Sequence, residues 1–187
     1  MAEITIYGPP QSTYTRTVRM LCEEKGAAYD LQGVEFGSAA HLALHPFGKV
    51  PVCVCDGESI YETVAICSYL NDTLPGASLA PTDAMQRAHM LRWISVIIDY
   101  SYPVMIKQVV LPRLGMVELD DSVVQDATAA SARQLGIADA ELGSRQFLAG
   151  KSLSIADLLL APIVDYLMAF PDIQEKNRGT LELAALV

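Results

Sequence analysis

Ser12 stands directly after a Gly8-Pro9-Pro10 break and directly before a stretch, Thr13 to Glu24, in which Val18, Leu21 and Cys22 recur on one helical face. A hydroxyl in that place lies at a helix N-terminus, where unpaired backbone N–H groups and the helix dipole stabilise an anion. Serine is also a preferred helix cap, so the residue taken alone is compatible with a purely structural role. Two other hydroxyls compete with it: Tyr7 at the end of the preceding run, and Thr13 next along the chain. A second position of the same kind is Glu62-Thr63, which opens a helical pattern shortly after an Asp56-Gly57 turn. First-turn amides there can hold a carboxylate and Glu62 can receive an ammonium, although an ordinary cap with an acidic neighbour has the same composition. Between the two lies Lys49-Val50-Pro51, a cation able to pair with an anion, followed by a proline at the start of a β-branched run.

Other chemistries find less support. His41 and His45 are four residues apart, the spacing that puts two zinc ligands on one helix face. No glutamate follows His41 in the HExxH manner and no third ligand is near, so no metal is expected. The four cysteines, at 22, 53, 55 and 67, show neither CxxC spacing nor the density of a disulfide-stapled secreted domain, and read as small core residues in a reducing compartment. Neither GxGxxG nor GxxxxGKS is present, which leaves a dinucleotide or P-loop site without a motif. Dithiol exchange is disfavoured because serine, not cysteine, heads the first helix. A formal net charge of -9 with no block of Lys or Arg argues against nucleic acid and anionic membranes, which both need clustered positive charge. The opening MAEITIYGPP has no basic n-region, and no stretch offers ~20 uninterrupted apolar residues, so neither export nor membrane insertion is expected.

The elements that must position these residues come from pattern. Ile4 to Tyr7 reads as a strand stopped by Gly8-Pro9-Pro10, and the helix after it closes at Glu23-Glu24-Lys25-Gly26 with a terminal glycine. Tyr29 to Glu35 reads as a second strand, and Ser38 to Leu44 is ambiguous between helix and loop. Val50 to Cys55, Asp56-Gly57 and Ser59 to Tyr61 make a hairpin, after which the helical period runs from Glu62 to Leu74. This βαβ then ββα order is followed by Leu74 to Asp83, rich in Pro, Gly, Ser and Ala, which reads as an interdomain linker. The expected domains are residues 1–76 and 84–187 of the 187. The second reads as all-helical: Ala84 to about Met105, a separate segment Ile106 to Leu114, Ser122 to Leu142, and Ile155 to Met168. Ser154 and Asp157 form a capping-box pattern, with Leu153 and Leu158 placed to pack as a staple, ahead of a helix apolar nearly all round.

YGPPQSTYTRTVRMLCEEKG, LALHPFGKVPV, DGESIYETVAI and the distant GKSLSIADLLLAP together resemble a serine-type glutathione transferase, similar to the phi and theta groups and their bacterial relatives. The resemblance covers nearly the whole chain in the right order. It implies a thioredoxin-like α/β N-terminal domain plus an all-α C-terminal domain, a cytoplasmic homodimer, and glutathione as co-substrate with no metal. It gives Ser12 the role of activating the glutathione thiol for attack on a small hydrophobic electrophile, with Tyr7 the competing donor. Val50-Pro51 is implied to be a cis peptide that exposes the Val50 backbone to the tripeptide; Lys49 would meet a carboxylate, and Glu62 with Thr63 the γ-glutamyl end. How the glycyl carboxylate is held, and whether His41 takes part, stays open. Tyr100, Met105 and Ile106, in a stripe with Tyr102 and Val109, would shape the second-substrate pocket, while Ser154 and Asp157 would serve folding. One departure is the C-terminus, where relatives usually continue into another helix beyond the position of Phe170-Pro171-Asp172. That departure keeps two other readings open: a non-catalytic glutathione-binding or protein-interaction module, and a glutathione-dependent isomerase or dehalogenase.

Overall fold

The computed structural model describes residues 3–176, in two compact units that divide between Ala80 and Pro81. The first contains β1 (Ile4–Tyr7), α1 (Thr13–Glu24), β2 (Asp30–Gln32), α2 (Ala39–Leu44), β3 (Val52–Cys55), β4 (Glu58–Tyr61) and α3 (Thr63–Thr73). Its sheet has the order β2-β1-β3-β4, with β1 parallel to β2 and antiparallel to β3, and β3 antiparallel to β4. Ile4 and Ile6 of β1, Val52 and Cys53 of β3, Val18 and Leu21 of α1, and Ile66 and Leu70 of α3 are buried and form the core. Parallel pairing of β1 with β2 requires a crossover, and α1 supplies it.

Local chemistry explains the turns. Asp56 (φ 50°) and Gly57 (φ 86°) both have positive φ, the pair a two-residue hairpin of primed type needs. β2 is shorter than the Tyr29 to Glu35 expected. Pairing ends where Gly8 N–H donates to Gln32 O at 2.9 Å, because the next β1-side residues, Pro9 and Pro10, have no N–H to continue the ladder. Ser38 to Leu44 resolves as a helix, with Ser38 Oγ accepting from His41 N–H at 3.1 Å. All four cysteines are unbridged and buried in this unit. Burial is the chief cause that raises each thiol, that of Cys22 to about 12, so none is a nucleophile near neutral pH.

The second unit opens with α4 (Ala84–Val96), capped by Asp83, whose Oδ1 accepts from Met85 and Gln86 N–H at 3.1 and 2.9 Å. The helix does not stop near Met105. It widens into a π-helical segment, Ile97–Val110, and continues as α5 (Leu111–Arg113), so the expected break between two helices is absent. Pro103 lies inside the widened segment. A proline lacks an N–H and crowds the preceding turn, which would end an ordinary helix, and segments with i→i+5 bonding are one way a helix absorbs such a defect. By length and composition Ala84–Arg113 would pass for a membrane span; Met90, Trp93, Ile94, Ile97, Met105 and Val109 are instead buried, as in the core helix of a helical bundle.

The unit continues with α6 (Asp121–Leu142), α7 (Ile155–Met168) and α8 (Pro171–Lys176). Every residue of α7 from Ile155 to Val164 is buried. Its capping box is formed: Asp157 Oδ2 accepts from Ser154 N–H at 2.9 Å and from the Ser154 hydroxyl at 2.6 Å, and Oδ1 accepts from Leu148 N–H at 2.8 Å. The short helix α8 has no counterpart among the elements expected from pattern. It starts on Pro171, a residue suited to a first helical position, and Arg113 fixes it by a double ion pair to Asp172 at 2.6 and 2.9 Å while lying 5.1 Å from the Phe170 ring centroid. Residues 177–187, and with them the question of a further C-terminal helix, lie outside the described residues.

Candidate active site

Sheet register gathers the chemistry of the first unit at one end. Tyr7 pairs with Val52, and Val52 with Tyr61; one step further, the end of β1 at Gly8, the Val50-Pro51 segment and Glu62 are therefore neighbours. Close approach bears this out: a Cβ added at Gly8 would run into Thr15 Oγ1 and come within 3.4 Å of Val50 Cβ. Glycine is required there by contact, because the head of α1 and the Val50 segment close on its backbone.

Ser12 occupies the N-cap of α1, with extended backbone (φ -61°, ψ 129°) and its Oγ accepting from Thr15 N–H at 3.4 Å. It is half-buried, and no acidic residue lies in the first turn. Capping uses the oxygen as acceptor and leaves the hydroxyl hydrogen to be donated, so cap and donor are compatible roles for one side chain. Thr13 is buried, and Tyr7 is a half-buried strand residue held between Gln32 and Val52. Thr15, one turn in from Ser12, carries no signal in the sequence; it is fully buried and its Oγ1 has no hydrogen-bond partner among the described residues.

The Val50-Pro51 bond is cis, and the β3 ladder begins at Val52, so Val50 lies outside it. His41 stands behind this segment. Gly37 N–H donates to His41 Nδ1 at 3.3 Å, which leaves the proton on Nε2 to be donated to Lys49 O at 3.0 Å. Both ring nitrogens are thus engaged by backbone of Gly37 and Lys49. His45 is equally structural, with Nδ1 accepting from Phe47 N–H at 3.3 Å and its ring 4.7 Å from that of Tyr61. Burial holds the His45 imidazole below its ordinary range, opposed in part by Glu62. Among the described residues no three His, Cys, Asp or Glu side chains are grouped to hold a metal ion. Lys49 is exposed.

Glu62 has φ 70° at the N-cap of α3 and makes no side-chain bond to the first turn, while its carbonyl accepts from Ile66 N–H at 3.0 Å. A non-glycine residue in that conformation stores about 1–3 kcal/mol of strain and is characteristic of functional sites. Thr63 is buried and Glu62 exposed. The first-turn amides of α3 thus receive no capping side chain from their own N-cap, unlike most helix starts.

In the helical unit, a mostly apolar cavity of about 340 Å³ is lined by Trp93, Val96, Tyr100, Met105, Gln134 and Leu135 among others. Of the three residues expected at the second-substrate pocket, Tyr100 and Met105 line this cavity, while Ile106 is buried elsewhere in the unit. Gln134, from another helix, carries no signal in the sequence.

Comparison with known proteins agrees with this arrangement. Residues 11–73 match the glutathione S-transferase N-terminal domain, and residues 94–178 its C-terminal domain. The chain is 30% identical over 176 residues to glutathione S-transferase F10 of Arabidopsis thaliana, covering 88% of this chain and 81% of that one. It superposes on the crystal structure of poplar glutathione transferase F1 with TM-score 0.87 at 27% identity, covering all of this chain and 91% of the other. A glutathione S-transferase from Methylobacillus flagellatus with glutathione bound gives TM-score 0.80 at 25% identity over 98% of this chain and 92% of that one. An α/β unit with a cis-proline loop at the sheet end, an all-helical second unit and relatives matched over most of their length lead to one assignment: the chain belongs to the glutathione S-transferase family, and glutathione is its co-substrate.

Proposed function

We propose that the protein is a serine-type transferase of the phi- and theta-like kind, with bacterial relatives, in which the Ser12 hydroxyl stabilises the glutathione thiolate. The observation that carries this reading is the state of the α1 N-terminus: Ser12 accepts one long bond from Thr15 N–H and has no acidic residue in the turn behind it. A sulfur anion beside it gains a hydroxyl donor and the helix field together. A free thiol has a pKa of about 8.5. Bringing it to about 6.5 requires about 2.7 kcal/mol, which one such donor and the helix end can supply. The thiol proton leaves to solvent, the sulfur pair forms a bond to an electrophilic carbon, and the leaving group departs or the acceptor π-bond takes up the electrons.

The remaining glutathione contacts come from the same end of the sheet. Val50, outside the ladder, offers its backbone to the cysteinyl unit as an added strand would. Thr63 and the uncapped α3 amides hold the γ-glutamyl carboxylate, Glu62 its ammonium, and Lys49 a carboxylate. Tyr100 and Met105 provide apolar surface for a small hydrophobic electrophile. The expected homodimer has a natural contact in Phe47, 71% exposed, whose ring lies 6.4 Å from that of the 37% exposed Tyr61; Phe47→Ser should shift the mass in light scattering toward the monomer. We place the protein in the cytoplasm, as buried unpaired thiols suit a reducing compartment.

Conjugation kinetics with a chlorinated nitroarene test the assignment. Ser12→Ala should lose most of kcat/KM while Tyr7→Phe keeps it; the reverse pattern moves the role to the phenol.

A further inference from the structure

Two buried polar atoms of the helical unit have no partner among the described residues: Trp93 Nε1, a donor, and Gln134 Oε1, an acceptor. Both side chains line the one 340 Å³ cavity, whose other walls are almost wholly apolar. Trp93 is 5% exposed, so its N–H has no recourse to bulk water. Among the described residues the Gln134 amide is held by one long bond, from Nε2 to Tyr100 O at 3.5 Å. The wall opposite α6 is the start of the widened Ile97–Val110 segment, and π-helical irregularities are frequent at functional sites.

We propose that this cavity binds a neutral aromatic carboxamide, its C=O accepting from Trp93 Nε1 and its N–H donating to Gln134 Oε1. Each part of that description answers a feature of the walls. Among the described residues no Lys or Arg lines the cavity, and the chain carries a net charge of -9, so a carboxylate would enter without a counter-charge. A purely apolar guest would fill the space and leave both polar atoms unsatisfied. An amide presents one acceptor and one donor on adjacent atoms, and its aryl body meets the Trp93 and Tyr100 rings and the Met105 sulfur. The proposal rests on the reading of Tyr100 and Met105 as second-substrate surface and names the substrate class of that surface: an aryl amide bearing the electrophilic carbon elsewhere on the molecule.

Trp93 is the sole tryptophan of the chain, so its fluorescence reports occupancy without glutathione or turnover. N-methylbenzamide, methyl benzoate and propylbenzene present donor plus acceptor, acceptor only, and neither. The intact protein should bind the amide about tenfold tighter than the ester and tighter still than the hydrocarbon. In Gln134→Leu the amide–ester difference should vanish while propylbenzene binding holds or improves. Equal affinity for all three probes in the unmodified protein, as expected if ordered water satisfies the two atoms, overturns the proposal without any variant having to fold. Amide binding that competitively inhibits chloroarene conjugation supports both the site and the second-substrate reading. Amide binding without inhibition supports the site and removes that reading, whereas conjugation intact with no amide preference does the opposite.

Discussion

Ser12 and Ser154 each cap a helix, as Ser38 does at α2, and these two use the position in opposite ways. At α7, Ser154 is fully buried and tied to Asp157, whose carboxylate also takes Ser154 N–H and Leu148 N–H. At α1, Ser12 is half-buried, accepts a single 3.4 Å bond, and three residues on has Thr15 in place of an acid. Both starts solve the same problem of unpaired amides. The carboxylate at α7 consumes the helix field internally and makes a folding element. Its absence at α1 leaves that field for an anion from outside, and so makes a chemical one.

The sharpest way to break this contrast is from the α7 side. Asp157→Ala leaves Leu148 N–H and the Ser154 groups unsatisfied in the core and should lower unfolding free energy by about 3 kcal/mol in urea titration, with glutathione affinity unchanged wherever the fold persists. A loss confined to activity would make α7 a chemical site and erase the distinction. At α1, Ser12→Ala should reduce kcat/KM by about a hundredfold and stability by only about 1 kcal/mol. Ser12→Asp caps as well as serine yet repels a thiolate, so it should keep the stability and lose more activity than alanine does.

His41→Phe acts at a distance from the sulfur. Losing the bridge from Gly37 N–H to Lys49 O should raise KM for glutathione about tenfold with kcat little changed, as expected of a side chain that positions and does not react. Thr15→Val removes a buried hydroxyl with no partner among the described residues and should stabilise the protein by about 1 kcal/mol in thermal unfolding; destabilisation would mean that the hydroxyl has a bound partner in solution.

The smallest effect is on pH. The folded pKa of His45 lies below the ordinary 6.5 because of burial, so as pH falls below 6.5 the unfolded chain takes up the proton first and stability declines. His45→Phe should flatten that slope. Asp157 acts with the opposite sign, since burial, opposed by its hydrogen bonds, raises its carboxyl above 3.8: its contribution is full below that value and is lost as pH rises through the folded pKa.

Much of this is legible in the chain. Asp56-Gly57 announces the hairpin, Gly8-Pro9-Pro10 the end of β1, and SIAD the capping box, because in each case the residues involved are adjacent and their preferences are local. Features that stay hidden depend on distant partners. The commitment of His41 to Gly37 and Lys49 needs the folded loop, and the missing bond of Thr15 depends on the close approach of Gly8. Unbroken passage from α4 through Ile97–Val110 removes the break expected between Met105 and Ile106, and α8 is anchored by Arg113, 59 residues away from Asp172 in sequence.

A sulfur anion held at the head of α1 must show itself in the ionisation of bound glutathione. Ultraviolet difference titration of the complex should give a thiol pKa of about 6.5, and Ser12→Ala should return it toward the free value of about 8.5. A bound pKa near the free value, or one that is depressed and unmoved by Ser12→Ala, would remove Ser12 from the stabilisation of the thiolate.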